Sequence, residues 1–179
     1  MKNNLLRLFF SVAVLCTCTI PASATDFVVT SLGDEDTEGT LRWAIRRVDQ
    51  DNATPHTITF SVSGTITMGS QYWGLSNPVT IDGGNNIAIN ANGLSVFRFT
   101  DEGSTGAAGT IIKNLTIYNA SNAIDNSRAA NVQVLDCVIG LTAANGATAN
   151  TGGTNRGISM QSANTEGFVI RGCTIAGFG

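Results

Sequence analysis

The chain's chemically useful side chains are mostly acids, and they occur in two settings. Asp34, Glu35, Asp36 and Glu38 crowd together between positions 34 and 38. Such a density of hard oxygen ligands could hold calcium. Their spacing fits no calcium loop. The competing reading is structural: acids are favoured just ahead of a helix, where the dipole is positive, and Arg42 would pair with them. We prefer the structural reading. Asp125, Asp136 and Glu166 are instead scattered singly. Glycoside hydrolysis needs two carboxylates held about 5 to 10 Å apart, and no pair of these acids has a spacing that promises it. No catalytic, cofactor-binding or metal-ligating residue is therefore nominated, and no cofactor is expected.

The remaining reactive types are few. His56 is the one histidine and falls in a loop between Pro55 and Thr57. Of the four cysteines, Cys16 and Cys18 lie in an apolar N-terminal stretch, leaving Cys137 and Cys173. These two read as small buried hydrophobes in preference to a disulfide, because stacked parallel side chains hold their Cβ atoms wider than the ~3.8 Å a disulfide favours. Tyr72-Trp73 could stack on a sugar ring, but packing under a cap is the preferred reading. Asn52, Asn114 and Asn119 begin Asn-x-Ser/Thr triplets, matches read as incidental because asparagine is this chain's turn residue.

Three segments show what must position these groups: Thr110 to Ile117, Val132 to Ile139 and Phe168 to Ile175. They align without gaps at offsets of 22 (from 110 to 132) and 36 (from 132 to 168). Core-capable residues fill four columns: Thr110/Val132/Phe168, Ile112/Val134/Ile170, Leu115/Cys137/Cys173 and Ile117/Ile139/Ile175. Between the middle two stand Asn114, Asp136 and Gly172, types that tolerate the left-handed backbone. Each copy reads as strand, sharp bend, strand, so Asp136 is a turn residue first. Val96 to Phe99, Asn122 to Ile124 and Gly157 to Met160 supply a third strand before each copy.

One such copy cannot bury its apolar row alone, whereas copies stacked at the strand spacing of roughly 4.8 Å can. A period near 22 residues with this content points to a parallel β-helix. Over about residues 57 to 179 the repeats resemble those of right-handed parallel β-helix proteins, the pectin-lyase-like fold of bacterial surface proteins and polysaccharide-cleaving enzymes. Polygalacturonase-like members carry Asn-Thr-Asp, Asp-Asp and Gly-His-Gly patches, and pectate-lyase-like members an Arg-x-Pro-x-x-Arg patch. Neither set is present here. Upstream, Val28 to Asp34 and Gly39-Thr40-Leu41-Arg42-Trp43-Ala44-Ile45 resemble an N-terminal module whose signature reads Cys-Ser-Leu-Arg-Glu-Ala-Ile. Leu41, Arg42, Ala44 and Ile45 match it. That resemblance implies a cap on an exported β-helix and no reaction.

The expected fold is thus all-β, a right-handed parallel β-helix (solenoid) with an N-terminal capping helix from Leu41 to Val48, whose apolar residues share one face. Residues 1–24 read as a secretory signal, with Lys2 and Arg7, an apolar run and small residues at Ala22 and Ala24. Residues 25–56 form the cap and 57–179 the β-helix, with an excursion loop at 142–156. The sequence stops at Gly179 without a closing helix or polar cap, so the expected natural chain is longer. Without the leader, 8 basic residues face 13 acidic ones, and no basic stripe suits a nucleic acid. No transmembrane helix is expected.

The functional expectation is a non-catalytic secreted or cell-surface scaffold, structural or adhesin-like, with a surface polysaccharide or another protein as partner. The alternative is a carbohydrate-active enzyme or sugar-binding module whose site lies partly beyond Gly179.

Overall fold

The computed structural model describes residues 25–51, 55–72, 74–99, 106–141, 156–161 and 165–178. The expected leader and its cleavage site, Asn52, Trp73 and positions 142–155 of the excursion loop lie outside these residues. In chain order the elements are β1 (Asp26–Val29), α1 (Leu41–Gln50), β2 (His56–Phe60), β3 (Gly64–Thr67), β4 (Val79–Asn90), β5 (Phe97–Phe99) and β6 (Ile111–Tyr118). There follow β7 (Asn122–Asn126), β8 (Gln133–Leu135), β9 (Val138–Ile139), β10 (Arg156–Met160), β11 (Val169–Arg171) and β12 (Thr174–Ile175).

The protein is mostly β, with one short helix among the described residues, and its sheets are parallel and open. The larger sheet runs β1-β2-β4-β6-β8-β11, with β3 beside the second half of β4, β9 beside that of β6, and β12 on β9. The smaller runs β10-β7-β5. Alternation along each strand decides what faces inward. Ile58, Ile81, Ile112 and Val134 stand in register and are fully buried. So do Ile66, Ile89, Ile117 and Ile139, one bend further on. Phe97 and Ile124 face them from the smaller sheet. Burying each such side chain is worth on the order of 1.5 to 3 kcal/mol.

The bend between the two columns is left-handed in all three copies, with φ of 56° at Asn114, 52° at Asp136 and 68° at Gly172. The carboxylate of Asp136 occupies the space a Cβ on Gly172 would take, so glycine there answers both the backbone and the layer beneath it. Val79 to Asn90 forms one strand, with a register shift against β6 between Asp82 and Ile87.

Three expectations change. Ile170 and Ile175, placed in the buried columns by the sequence, keep their columns but are 47% and 41% exposed. The reason is that β11 and β12 pair only with β8 and β9 among the described strands, so no described strand covers their other side. His56 is no loop residue; it opens β2 and is fully buried. Arg156 is no part of the excursion loop, since it begins β10 and pairs with Asn122.

Helix α1 runs two residues past the expected Val48. Thr40 caps it, accepting from the Trp43 N–H at 3.3 Å. Its buried stripe of Leu41, Ala44, Ile45 and Val48 joins the common core.

Position within a column sets the cost of truncation. Ile117→Ala, with Ile89 and Ile139 on either side, should cost about 2–5 kcal/mol in urea unfolding. Ile175→Ala should cost less than about 1 kcal/mol. Equal losses would mean that the columns do not carry the fold.

Candidate functional site

Arg42 explains the acidic run. Its helix carries it toward Asp34, and its side chain is 8% exposed against 10% for that of Asp34. Nε donates to the Asp34 carbonyl at 2.6 Å and Nη2 to Asp34 Oδ2 at 2.6 Å. Nη2 also reaches the Ser70 carbonyl at 2.6 Å, and Nη1 the Gln71 carbonyl at 3.0 Å. The Gly69 N–H donates to Asp34 Oδ2 at 2.8 Å. One guanidinium thus ties α1 to two loops, through a planar fork that lysine could not reproduce. The acids do not converge: Asp36 pairs with Arg46 at 3.0 Å, and Glu35 and Glu38 are exposed. Among the described residues no three His, Cys, Asp or Glu side chains gather where a metal ion could sit.

Tyr72 packs beneath this knot, with the Arg42 guanidinium 4.8 Å from its ring centre. Burial first, and then the Asp34 charge, push its hydroxyl well above the usual phenol range. Asp34 Oδ1 and the Tyr72 hydroxyl are both buried without a well-formed hydrogen bond. The carboxylate nevertheless lies near enough to act on the phenol. Tyr72, 4% exposed, offers no platform for a sugar ring.

A second group forms at the bend. Asp82 Oδ2 meets Lys113 Nζ at 3.0 Å, and Asp82 Oδ1 accepts from Asn114 Nδ2 at 2.8 Å and from the Gly84 N–H at 3.0 Å. Slight burial raises the Asp82 carboxyl, but the Asn114 amide, the Gly84 N–H and Lys113 together hold it below the ordinary carboxylate value. Asn119 Nδ2 similarly donates to Asn90 Oδ1 at 3.2 Å. The amides of both described Asn-x-Ser/Thr triplets are therefore engaged in turn contacts, at positive φ.

The third group lies on the smaller sheet, where Arg98, Asp125 and Ser159 stand in register. Asp125 Oδ2 is 3.5 Å from Arg98 Nε, and Oδ1 accepts from Gln161 Nε2 at 3.0 Å. Asp136 stands at a bend of the larger sheet, so Asp125 and Asp136 belong to different faces. The outward rows Ile111/Gln133/Val169 and Thr116/Val138/Thr174 stand in register and hold no titratable group, whereas the outward row next to the bend, Asp82/Lys113/Leu135/Arg171, holds three.

The other reactive types have structural places. His56 lies against Phe27 with ring centres 5.9 Å apart, its Nε2 3.1 Å from the Asp51 carbonyl oxygen. Cys137 and Cys173 are free thiols in one column, and the Cys137 N–H donates to Cys173 Sγ at 3.4 Å. Burial pushes the Cys137 thiol up to about 12, which keeps it a protonated and inert core residue at neutral pH.

The sequence reading anticipated Arg42 with the acidic cluster but missed three partnerships: Asp82 with Lys113, Asp125 with Arg98 and Gln161, and Asp49 with Ser76. Only the alignment of Asp82 to a bend could have signalled the first. In the last, Asp49 Oδ1 accepts from the Ser76 N–H at 2.8 Å and from its hydroxyl at 3.1 Å. Burial nonetheless raises the Asp49 carboxyl, outweighing both bonds.

Two outcomes follow from these partnerships. Arg42→Ala strands a buried carboxylate and should cost about 3–5 kcal/mol in denaturant unfolding. Arg42→Lys should recover less than half of that, and full recovery would reduce the knot to a point charge. For Asp82, a lowered folded pKa means stability that is present above its unfolded value of about 3.9 and lost as pH falls through the folded value. Asp82→Asn should therefore flatten the fall in unfolding midpoint between about pH 6 and pH 3, and an unchanged slope would contradict this. No family model, curated protein or solved structure matches the chain.

Proposed function

We propose that the chain is a non-catalytic, exported scaffold: a right-handed parallel β-helix, capped at its N-terminal end by α1 and working as a structural or adhesin-like surface. What supports the fold reading is the threefold repeat of parallel, in-register strands around a left-handed bend. What supports export is the leader-like character of residues 1–24. The matching cap signature points the same way.

One observation carries the functional reading. General acid–base chemistry requires a titratable group within hydrogen-bond reach of the substrate, and on this fold such groups point outward from adjacent layers. The outward rows through Ile111 and Thr116 carry none, and in the row next to the bend the acid, Asp82, is held by Lys113 of the neighbouring layer, as Asp125 is by Arg98 on the smaller sheet. A weakly polar, regular surface suits docking against a polysaccharide or another protein.

Expressed in a secreting host, the product should begin at Thr25. Incubated with acidic and neutral polysaccharides, with and without calcium, it should release no new reducing ends and no unsaturated products. Cleavage above a matched blank that disappears when one acid is changed to Ala would replace the scaffold with an enzyme.

A further inference from the structure

β1 is an outer strand, and β2 is its only paired neighbour among the described residues. Successive residues of an extended strand turn their backbone N–H and C=O to opposite edges. The Thr25 and Val29 carbonyls accept from the N–H groups of Thr57 at 3.3 Å and Ser61 at 2.9 Å, so the odd-numbered residues face β2. Thr30 faces the other way and donates to the Gly39 carbonyl at 2.8 Å. Asp26 and Val28 lie on that same free edge.

A cleft of about 240 Å³ follows this edge, with Asp26, Val28 and Thr30 along one side and Glu38, Gly39 and Trp43 along the other. Helix α1 covers the core, and no described residue pairs with the Asp26 and Val28 backbone on this edge. Val28 is 51% exposed, as apolar residues on the outer strands β10, β11 and β12 also are in part. Asp26 and Glu38 are both exposed, and neither forms an ion pair with a described residue. No basic side chain lines the cleft. Unpaired main-chain groups are best met by another main chain, and two free carboxylates favour a cationic one.

We propose that the free edge of β1 is a strand-addition site for an extended basic peptide segment of another protein. The segment continues the pairing that Gly39 begins at Thr30, meets the N–H and C=O groups of Val28 and Asp26, and places lysine or arginine against Asp26 and Glu38. This goes beyond the scaffold reading: a cleavage activity on the outward faces, or retention of the leader, would leave it standing.

The test is fluorescence anisotropy with the purified full chain and three labelled, capped peptides of about six residues: alternating lysine and valine, the same with glutamate for lysine, and the lysine peptide N-methylated at alternate backbone nitrogens. The lysine peptide should bind saturably and the glutamate peptide should not. N-methylation should weaken binding at least about tenfold. Asp26→Asn with Glu38→Gln should weaken it roughly threefold to tenfold. Val28→Pro removes one N–H from the free edge while sparing the groups that face β2, which an edge strand tolerates, and should abolish binding. If that variant does not fold, the N-methylated peptide on the unaltered chain decides. No saturation by about 1 mM, equal binding after N-methylation, or indifference to the double substitution would overturn the proposal. So would self-association of the chain alone that Val28→Pro abolishes in sedimentation, because a second copy would then be the occupant.

Discussion

The register of the stacked columns is the constraint from which the rest follows. Ile112 lies on Val134 and Ile117 on Ile139, so these two layers spend the same path length between their inward residues. A longer bend keeps register only where the extra residues are absorbed locally, as β4 absorbs them between Asp82 and Ile87; otherwise the second strand slips and its apolar row turns to solvent. That is why Asn114, Asp136 and Gly172 share one left-handed conformation. It is also why their identities differ. With the backbone fixed, the side chain answers to the neighbouring layer: an amide where Asp82 needs a donor, and nothing at Gly172, where the Asp136 carboxylate already fills the space.

Features that repeat were legible in the sequence, because repetition is local information. The three copies, the bend residues and the additional strand ahead of each copy could be read from period two and a recurring tolerant residue. Burial at Ile170 and Ile175 could not, since it depends on what stacks beyond and not on the residue's own strand. The continuity of β4 was hidden for a related reason: Asp82 to Asn86 looks like a break, yet ladder bonds to β6 hold both halves. At the candidate sites, Arg42 beside Asp34 was visible as a pairing of opposite charges eight residues apart. Its bonds to Ser70 and Gln71, 28 and 29 residues away, were not.

The knot around Arg42 shows what the acidic run does. Three carbonyls and one carboxylate surround a nearly buried guanidinium, which satisfies its fork and neutralises Asp34 at once. A buried pair of this kind is a modest contributor when intact and a large liability when broken. Its value is positional: it fixes where α1 sits over the end of the core, and with it where Gly39 meets Thr30.

Stacking also limits the chemistry the outward faces can carry. Equivalent residues in adjacent parallel strands lie roughly 4.8 Å apart, so a column of like charges would repel along its whole length. The observed columns avoid this. Asp82 is met by Lys113 and Asn114 and Asp125 by Arg98 and Gln161, each from a neighbouring layer or loop. These two acids are neutralised by the same regularity that builds the sheets. Asp26 and Glu38 have no such partner among the described residues, where β1 pairs on one side only. Among those residues, free charge and free backbone therefore coincide at this edge.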